Sequence, residues 1–148
     1  SMKVGNGRFL TTDRYVLFQQ LTVEQLITVK PTQAWLQHAH QPPRHHAWHQ
    51  AIYSQTAAQV VMLIQPTAAT AMAAQQRLPA LALLVDADEA VASLGLNTPD
   101  LLASQVATAA ALLIPGHGLL LHGDDFQQLL GRADTINRWC EIALAANR

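Results

Sequence analysis

Two periods of apolar residues run along this chain and assign its elements. Near the carboxyl end, Phe126, Leu129, Leu130, Ala133, Ile136, Cys140 and Ala143 recur at helical spacing, which predicts a helix of about six turns. Asp124 or Asp125 stands at its positive amino end, where a carboxylate is favoured. Just before it, ALLIPGHGLLLHG reads as strand, tight turn and strand. The run QVVMLIQP is continuously apolar and stopped by proline, which predicts a strand buried on both faces, and PALALLV predicts another. TAATAMAAQQ predicts a small-residue helix, and TPDLLASQVATAA opens a helix with Thr98 as N-cap and Pro99 in the first helical position. RHHAWHQAIYSQT sets Trp48 and Ile52, and His45 and His49, at helical spacing, so a helix is expected from Arg44 to about Thr56. Toward the amino end, RFLTT and YVLFQQ predict two strands joined by a turn at Asp13-Arg14. Thr22 can cap a short turn before a strand over Leu26–Lys30, and residues 31–43, with three prolines and two histidines, predict a surface loop. Strands alternate with helices through the second half, which places the chain in the layered α/β class.

No linker, charge block or repeat divides the 148 residues, so one domain over 1–148 is expected. Half the residues are hydrophobic and only 13% are charged, well below the roughly 25% of soluble domains. So few charges leave apolar surface that other subunits would cover, which predicts a homo-oligomer. A net charge of −1 excludes nucleic acid as the main partner, since phosphate binding needs a basic face. No apolar run reaches the ~18 residues of a membrane span. Ser1-Met2 reads as a tag remnant, and KVGNGRFLTT lacks the apolar centre of a signal peptide. The single cysteine, Cys140, excludes an internal disulfide and fits a reducing cytoplasm.

Histidine is the residue type that changes this picture. Five of the seven, His38, His40, His45, His46 and His49, fall within twelve residues. On a helix His45 and His49 are i and i+4, so both rings can reach one metal ion, or both can lie on a solvated helix end. The glutamate of a zincin helix is missing, and Trp48 and Tyr53 read as packing residues. His117, between two glycines at the turn of two buried strands, is either a ligand projecting from a rigid platform or a hydrogen-bonded hairpin corner. His122 repeats the His-Gly pair at the end of its strand. Asp86, Asp88 and Glu89 follow a buried strand, where a solvated loop or helix start competes with a site. No nucleophile elbow, phosphate-binding glycine loop or cysteine zinc site is present.

In order and content these pieces resemble the class II aldolase/adducin family over Phe9 to Ala146. LLIPGHGLLLHGDDFQQLLGRADTINRWCEIALAA is similar to the family's closing signature, a strand into His-Gly, a second strand, glycine and a long helix. HHAWHQAIYSQTAAQVVMLIQP is similar to its other signature, with His49, Ile52 and Tyr53 on the helix and Val60, Val61 and Pro66 on the strand. FLTT followed by LTVEQLITV resembles the family's early strand, turn and Leu-Thr-x-Glu-Asp-Leu segment.

The resemblance implies a three-layer sandwich with a central, mostly antiparallel or mixed sheet between helices, and a tetramer with sites between subunits. It also implies zinc held by three histidines, which polarises a sugar-phosphate carbonyl and stabilises an enediolate, with a glutamate as acid/base. His117 matches the last metal-binding histidine. The family's His-x-His falls on LIQP, so Leu63 or Ile64 and Gln65 replace two ligands, and the glutamate position falls at His45. TTDRY stands where a Ser-Gly phosphate-gripping turn is expected, and Gly5-Asn6-Gly7 lies too close to the strand to serve as a phosphate loop. Two expectations follow. The first is a family scaffold without zinc-dependent aldol cleavage, an oligomer that binds a small sugar-like ligand or regulates, with His117 as the remnant of a metal site. The alternative is a metal-dependent lyase acting on a sugar or sugar phosphate, with zinc on a site rebuilt from His117 with His45, His46 or His49, within one subunit or across a subunit boundary, His45 being the candidate catalytic residue.

Overall fold

The computed structural model describes residues 1–16, 18–31, 40–77, 91–93 and 99–146. The segment PALALLV, the acidic cluster Asp86 to Glu89, Thr98, His38 and most of the 31–43 loop lie outside the described residues. Among the described residues seven strands form one sheet: β1 (Met2–Gly5), β2 (Arg8–Thr12), β3 (Leu26–Val29), β4 (Val60–Ile64), β5 (Val91–Ser93), β6 (Ala111–Ile114) and β7 (Gly118–Gly123). Their spatial order is β3-β2-β1-β4-β7-β6-β5. Every neighbouring pair is antiparallel except β5 with β6. The four described α-helices are α1 (His46–Gln55), α2 (Thr67–Ala74), α3 (Pro99–Val106) and α4 (Phe126–Ala145).

Strand alternation sorts the sheet's side chains into two cores. Phe9, Val29, Val61, Leu112 and Leu120 project to one face, where they meet Trp48 and Ile52 of α1 and Leu102 of α3. Val60, Leu113, Leu119 and Leu121 project to the other, against Met72 of α2 and Leu129, Ile136 and Cys140 of α4. Helices on both faces of one mixed sheet make the three-layer sandwich. β7 is buried from Gly118 through Leu121 because it is central and covered on both sides. α2 has Pro66 at its N-cap position, which offers no side-chain acceptor. Asn137 of α4 supplies it: Oδ1 accepts from the Ala68 and Ala69 amides at 3.1 and 3.2 Å, which locks the two helices together.

Several expectations change. YVLFQQ does not form the strand that pairs with RFLTT; Phe18–Gln20 is a turn of 3₁₀ helix. The partners of β2 are β1, across the Gly5-Asn6-Gly7 turn with all three residues at positive φ, and β3, which pairs Val29 with Phe9. The strand at QVVMLIQP is buried on both faces only at Val60 and Val61; Met62, Leu63 and Ile64 are half-buried at the sheet's end. On α4 the buried stripe is Leu129, Ala133, Ile136, Cys140 and Ala143. Phe126 and Leu130 sit beside that narrow stripe, 43% and 57% exposed. Asp125, not Asp124, caps the helix, accepting from Gln128 N at 2.8 Å.

Candidate functional site

The pairing directions make β2, β4 and β6 parallel to one another and antiparallel to β7. The carboxyl ends of those three strands therefore meet the amino end of β7 at one edge of the sheet. Asp13 follows β2, Gln65 follows β4, and the Pro115-Gly116-His117 turn joins β6 to β7. In that turn the His117 amide donates to the Ile114 carbonyl at 3.0 Å, and Gly116 has φ +75°. Proline at the second turn position and a positive φ at the third are what a type II turn requires. His117 is thus set at the first position beyond a rigid corner.

Gly118 fixes what lies beside it. Its φ is +98°, and a methyl group there would run into the Ile64 carbonyl oxygen, with Gln65 Cα and Cγ at 3.1 Å. The end of β4 is therefore pressed against the residue next to His117. Leu63 packs against the core under α1, Ile64 belongs to the opposite core, and Gln65, just past the strand, is exposed. Of the two aliphatics that the family likeness sets at a histidine position, Leu63 is the one on the side of α1.

Helix α1 supplies the remaining groups. His45, at its N-cap, stacks on Trp48 with ring centroids 4.2 Å apart, and His117 meets both rings edge-on at 4.4 Å and 5.0 Å. His49 is turned elsewhere: its ring is buried, Nδ1 is 2.7 Å from Ser1 Oγ, and it stacks on Phe9 at 6.4 Å. His46 donates from Nδ1 to the Pro43 carbonyl at 3.0 Å, and His122 from Nε2 to the Ala109 carbonyl at 3.1 Å. The structure thus joins His45 to His117 and separates both from His49. Trp48, which the sequence marks only as packing, is the third ring of the cluster. Its i+3 spacing from His45 is the available signal.

Three histidines here resist protonation. Burial, then the neighbouring His117 and Arg44, hold the His45 pKa below the ordinary 6.5. Burial above all lowers that of His49 far more. Burial and then the Arg132 charge lower that of His122, against the opposing pull of its Ala109 hydrogen bond. A histidine whose pKa is lower in the folded state binds its proton first in the unfolded chain. The stability these three contribute is present above the unfolded value of 6.5 and lost as pH falls through and below it. Thermal unfolding followed from pH 7.5 down to about 5 should therefore show a falling midpoint; a flat profile over that range would contradict the burial of these rings.

Zinc sites in catalytic positions take three protein ligands and an open position. Among the described residues no group of three histidine, cysteine, aspartate or glutamate side chains converges. His45 and His117 are two imidazoles packed ring to ring, and the strand end beside them offers an aliphatic chain and an amide. Among the described residues this donor set is one imidazole short of the three-histidine zinc ion.

The profile of the Class II Aldolase and Adducin N-terminal domain matches residues 1–144. No curated protein matches the chain significantly. Among solved structures the chain is similar to an L-fuculose 1-phosphate aldolase, at 17% identity and TM-score 0.76, covering 95% of this chain and 71% of that one. It is similar to YgbL from Escherichia coli at 17% identity and TM-score 0.76, covering 95% and 74%. L-fuculose-1-phosphate aldolase from Thermus thermophilus matches at 21% identity and TM-score 0.72, covering 96% and 79%. At these identities the structures share the fold, and among the described residues no helix is long and apolar enough to cross a membrane. With the family profile matched over residues 1–144, the chain belongs to the class II aldolase and adducin family.

Proposed function

We propose that this chain is a class II aldolase scaffold that works without zinc-dependent aldol cleavage, as a homo-oligomeric small-ligand-binding or regulatory module in the cytoplasm. One observation carries the reading. The end of β4 beside His117 carries Leu63 and Ile64 and is followed by Gln65, so two of the three imidazoles zinc would need are replaced by groups that bind it poorly or not at all. Around His117 the site is instead a packed cluster of three rings, in which the half-buried His45 and His117 stand in front of buried Trp48 and offer a surface to the apolar face of a small polar ligand such as a sugar. The low charge content supports assembly, as do exposed Tyr15, Val23, Leu130 and Ile142, at 80%, 78%, 57% and 50%.

The contact between His45 and His117 favours a second reading, a divergent metal-dependent lyase in which both imidazoles bind metal and further ligands come from another subunit. Metal analysis of protein purified without a histidine tag separates the two. The scaffold reading expects well under one zinc or other divalent ion per chain and an unfolding midpoint unmoved by chelation. Near-stoichiometric metal whose removal lowers the midpoint would establish the lyase reading in its place.

A further inference from the structure

A clasp outside the ring cluster ties the end of β2 to the segment that enters α1. Asp13 is the residue at its centre. Its Oδ1 accepts from the Gln41 amide at 3.2 Å and from the Arg14 amide at 2.6 Å. Its Oδ2 accepts from His40 Nδ1 at 2.8 Å. Arg14 completes the clasp from the same turn: its amide also donates to the Gln41 carbonyl at 2.8 Å, and Nε donates to the Pro42 carbonyl at 3.1 Å. Residues 40, 41 and 42 are thus each held by the two residues that follow β2. From there the chain reaches the helix without slack, because the Pro43 carbonyl accepts from both the amide and Nδ1 of His46 at 3.0 Å. His45 lies between these two anchored points.

Asp13 is only 16% exposed, and its carboxyl is held below the ordinary carboxylate range. Desolvation pulls the other way, and the hydrogen bonds from His40, Gln41 and Arg14 outweigh it. The carboxylate is therefore charged wherever the protein is folded near neutrality, and each of its donors strengthens accordingly.

We propose that Asp13 is a positioning residue of the candidate site: through its hold on His40 and Gln41 it sets the entry to α1 and so keeps the His45 ring against both Trp48 and His117. His45 has no side-chain hydrogen bond that would orient it as an N-cap. Its placement comes from stacking and from where the backbone delivers it. A loop entry released from Asp13 would let the first turn of α1 fray while Ile52 and Tyr53, deeper in the core, hold the rest of the helix. This inference takes the ring cluster as the ligand site of the proposed function, but its test reads the rings directly and needs neither ligand nor metal.

The experiment is nuclear Overhauser spectroscopy on the full chain with labelled histidine and aromatic rings. The wild-type protein should show contacts of the His45 ring with Trp48 and His117, and of Phe9 with Tyr53, whose centroids are 5.4 Å apart at the other end of α1. Asp13→Ala is expected to lose the His45 contacts and keep those of Phe9 with Tyr53. Asp13→Asn, which retains an acceptor for the Gln41 amide, is expected to restore them. Should Asp13→Ala fail to fold, His40→Ala carries the test, since that side chain is 59% exposed and its removal opens one arm of the clasp. It should weaken the His45 contacts while leaving Phe9–Tyr53 intact. Unchanged His45 contacts in a folded Asp13→Ala or His40→Ala protein would overturn the proposal, as would equal loss of both sets of contacts.

Discussion

Gly118→Ala should destabilise the protein by about 3–4 kcal/mol, and Gly131→Ala should stabilise it by roughly 0.5–1 kcal/mol. The two glycines are opposites. Gly118 has φ +98°, a region where a non-glycine residue costs on the order of 1–3 kcal/mol, and its new methyl would meet the Ile64 carbonyl rather than a flexible side chain. Backbone cannot yield as a side-chain tip can, so overpacking adds about 1–3 kcal/mol more. The strain would fall on the β4–β7 junction that brings Gln65 beside His117. Gly131 lies inside α4 at an exposed position, with nothing within 4 Å of an added Cβ. There alanine only removes the backbone freedom that glycine gives the unfolded chain. Denaturant unfolding of the two variants against wild type checks both signs. In a domain of this length the first change corresponds to a midpoint lower by roughly 10 °C. A Gly118→Ala protein of wild-type stability would mean that β4 does not press against the hairpin as described.

The same glycines show how far the sequence pattern reaches. Proline, glycine and His-Gly between two apolar runs are enough to predict strand, turn and strand, because that turn's chemistry is local. Helical spacing locates α1 and α4 for the same reason, and a run of small residues locates α2. The first hairpin escapes the pattern although GNG marks it: glycine and asparagine at positive φ signal a tight turn, but the flanking Met2–Gly5 strand is only four residues long and its apolar Met2 and Val4 are the exposed ones. YVLFQQ carries a strand-like composition, yet β2 already pairs with β1 and β3 on its two edges, a competition that composition does not reveal. At the site, family likeness points to His117 and to the replaced positions, and helical spacing points to the histidines of α1. Which of those histidines reaches His117 depends on how α1 lies over the sheet. His45 at the helix start meets the hairpin corner, and His49, one turn on, is already inside the core with Phe9. The Asp13 clasp joins residues 28 positions apart, and nothing local announces it.

If the replaced strand-end positions are what separates this chain from a zinc site, restoring them should restore metal binding. The double substitution Leu63→His with Gln65→His is expected to bind about one zinc ion per chain, at least roughly 100-fold more tightly than wild type, equivalent to about 2.8 kcal/mol. Leu63 lies in β4 on the side of α1, and position 65 follows directly after the strand's last residue, Ile64. Gln65 already lies against Gly118, which places its replacement one residue from His117 across the strand pair. Leu63 is half-buried against the core that contains Trp48, so exchanging it lowers the stability of the metal-free protein. Zinc should then recover that stability, because an ion bound only by the folded state raises the unfolding midpoint in proportion to the logarithm of its concentration. Calorimetric titration gives the affinity, and the midpoint with and without zinc gives the linkage. Adding His117→Ala to the double variant must abolish both effects if the three imidazoles share one ion. Zinc binding that survives the loss of His117 would place the ion elsewhere, on the histidines around the start of α1, and would separate His117 from the metal position that family likeness assigns to it.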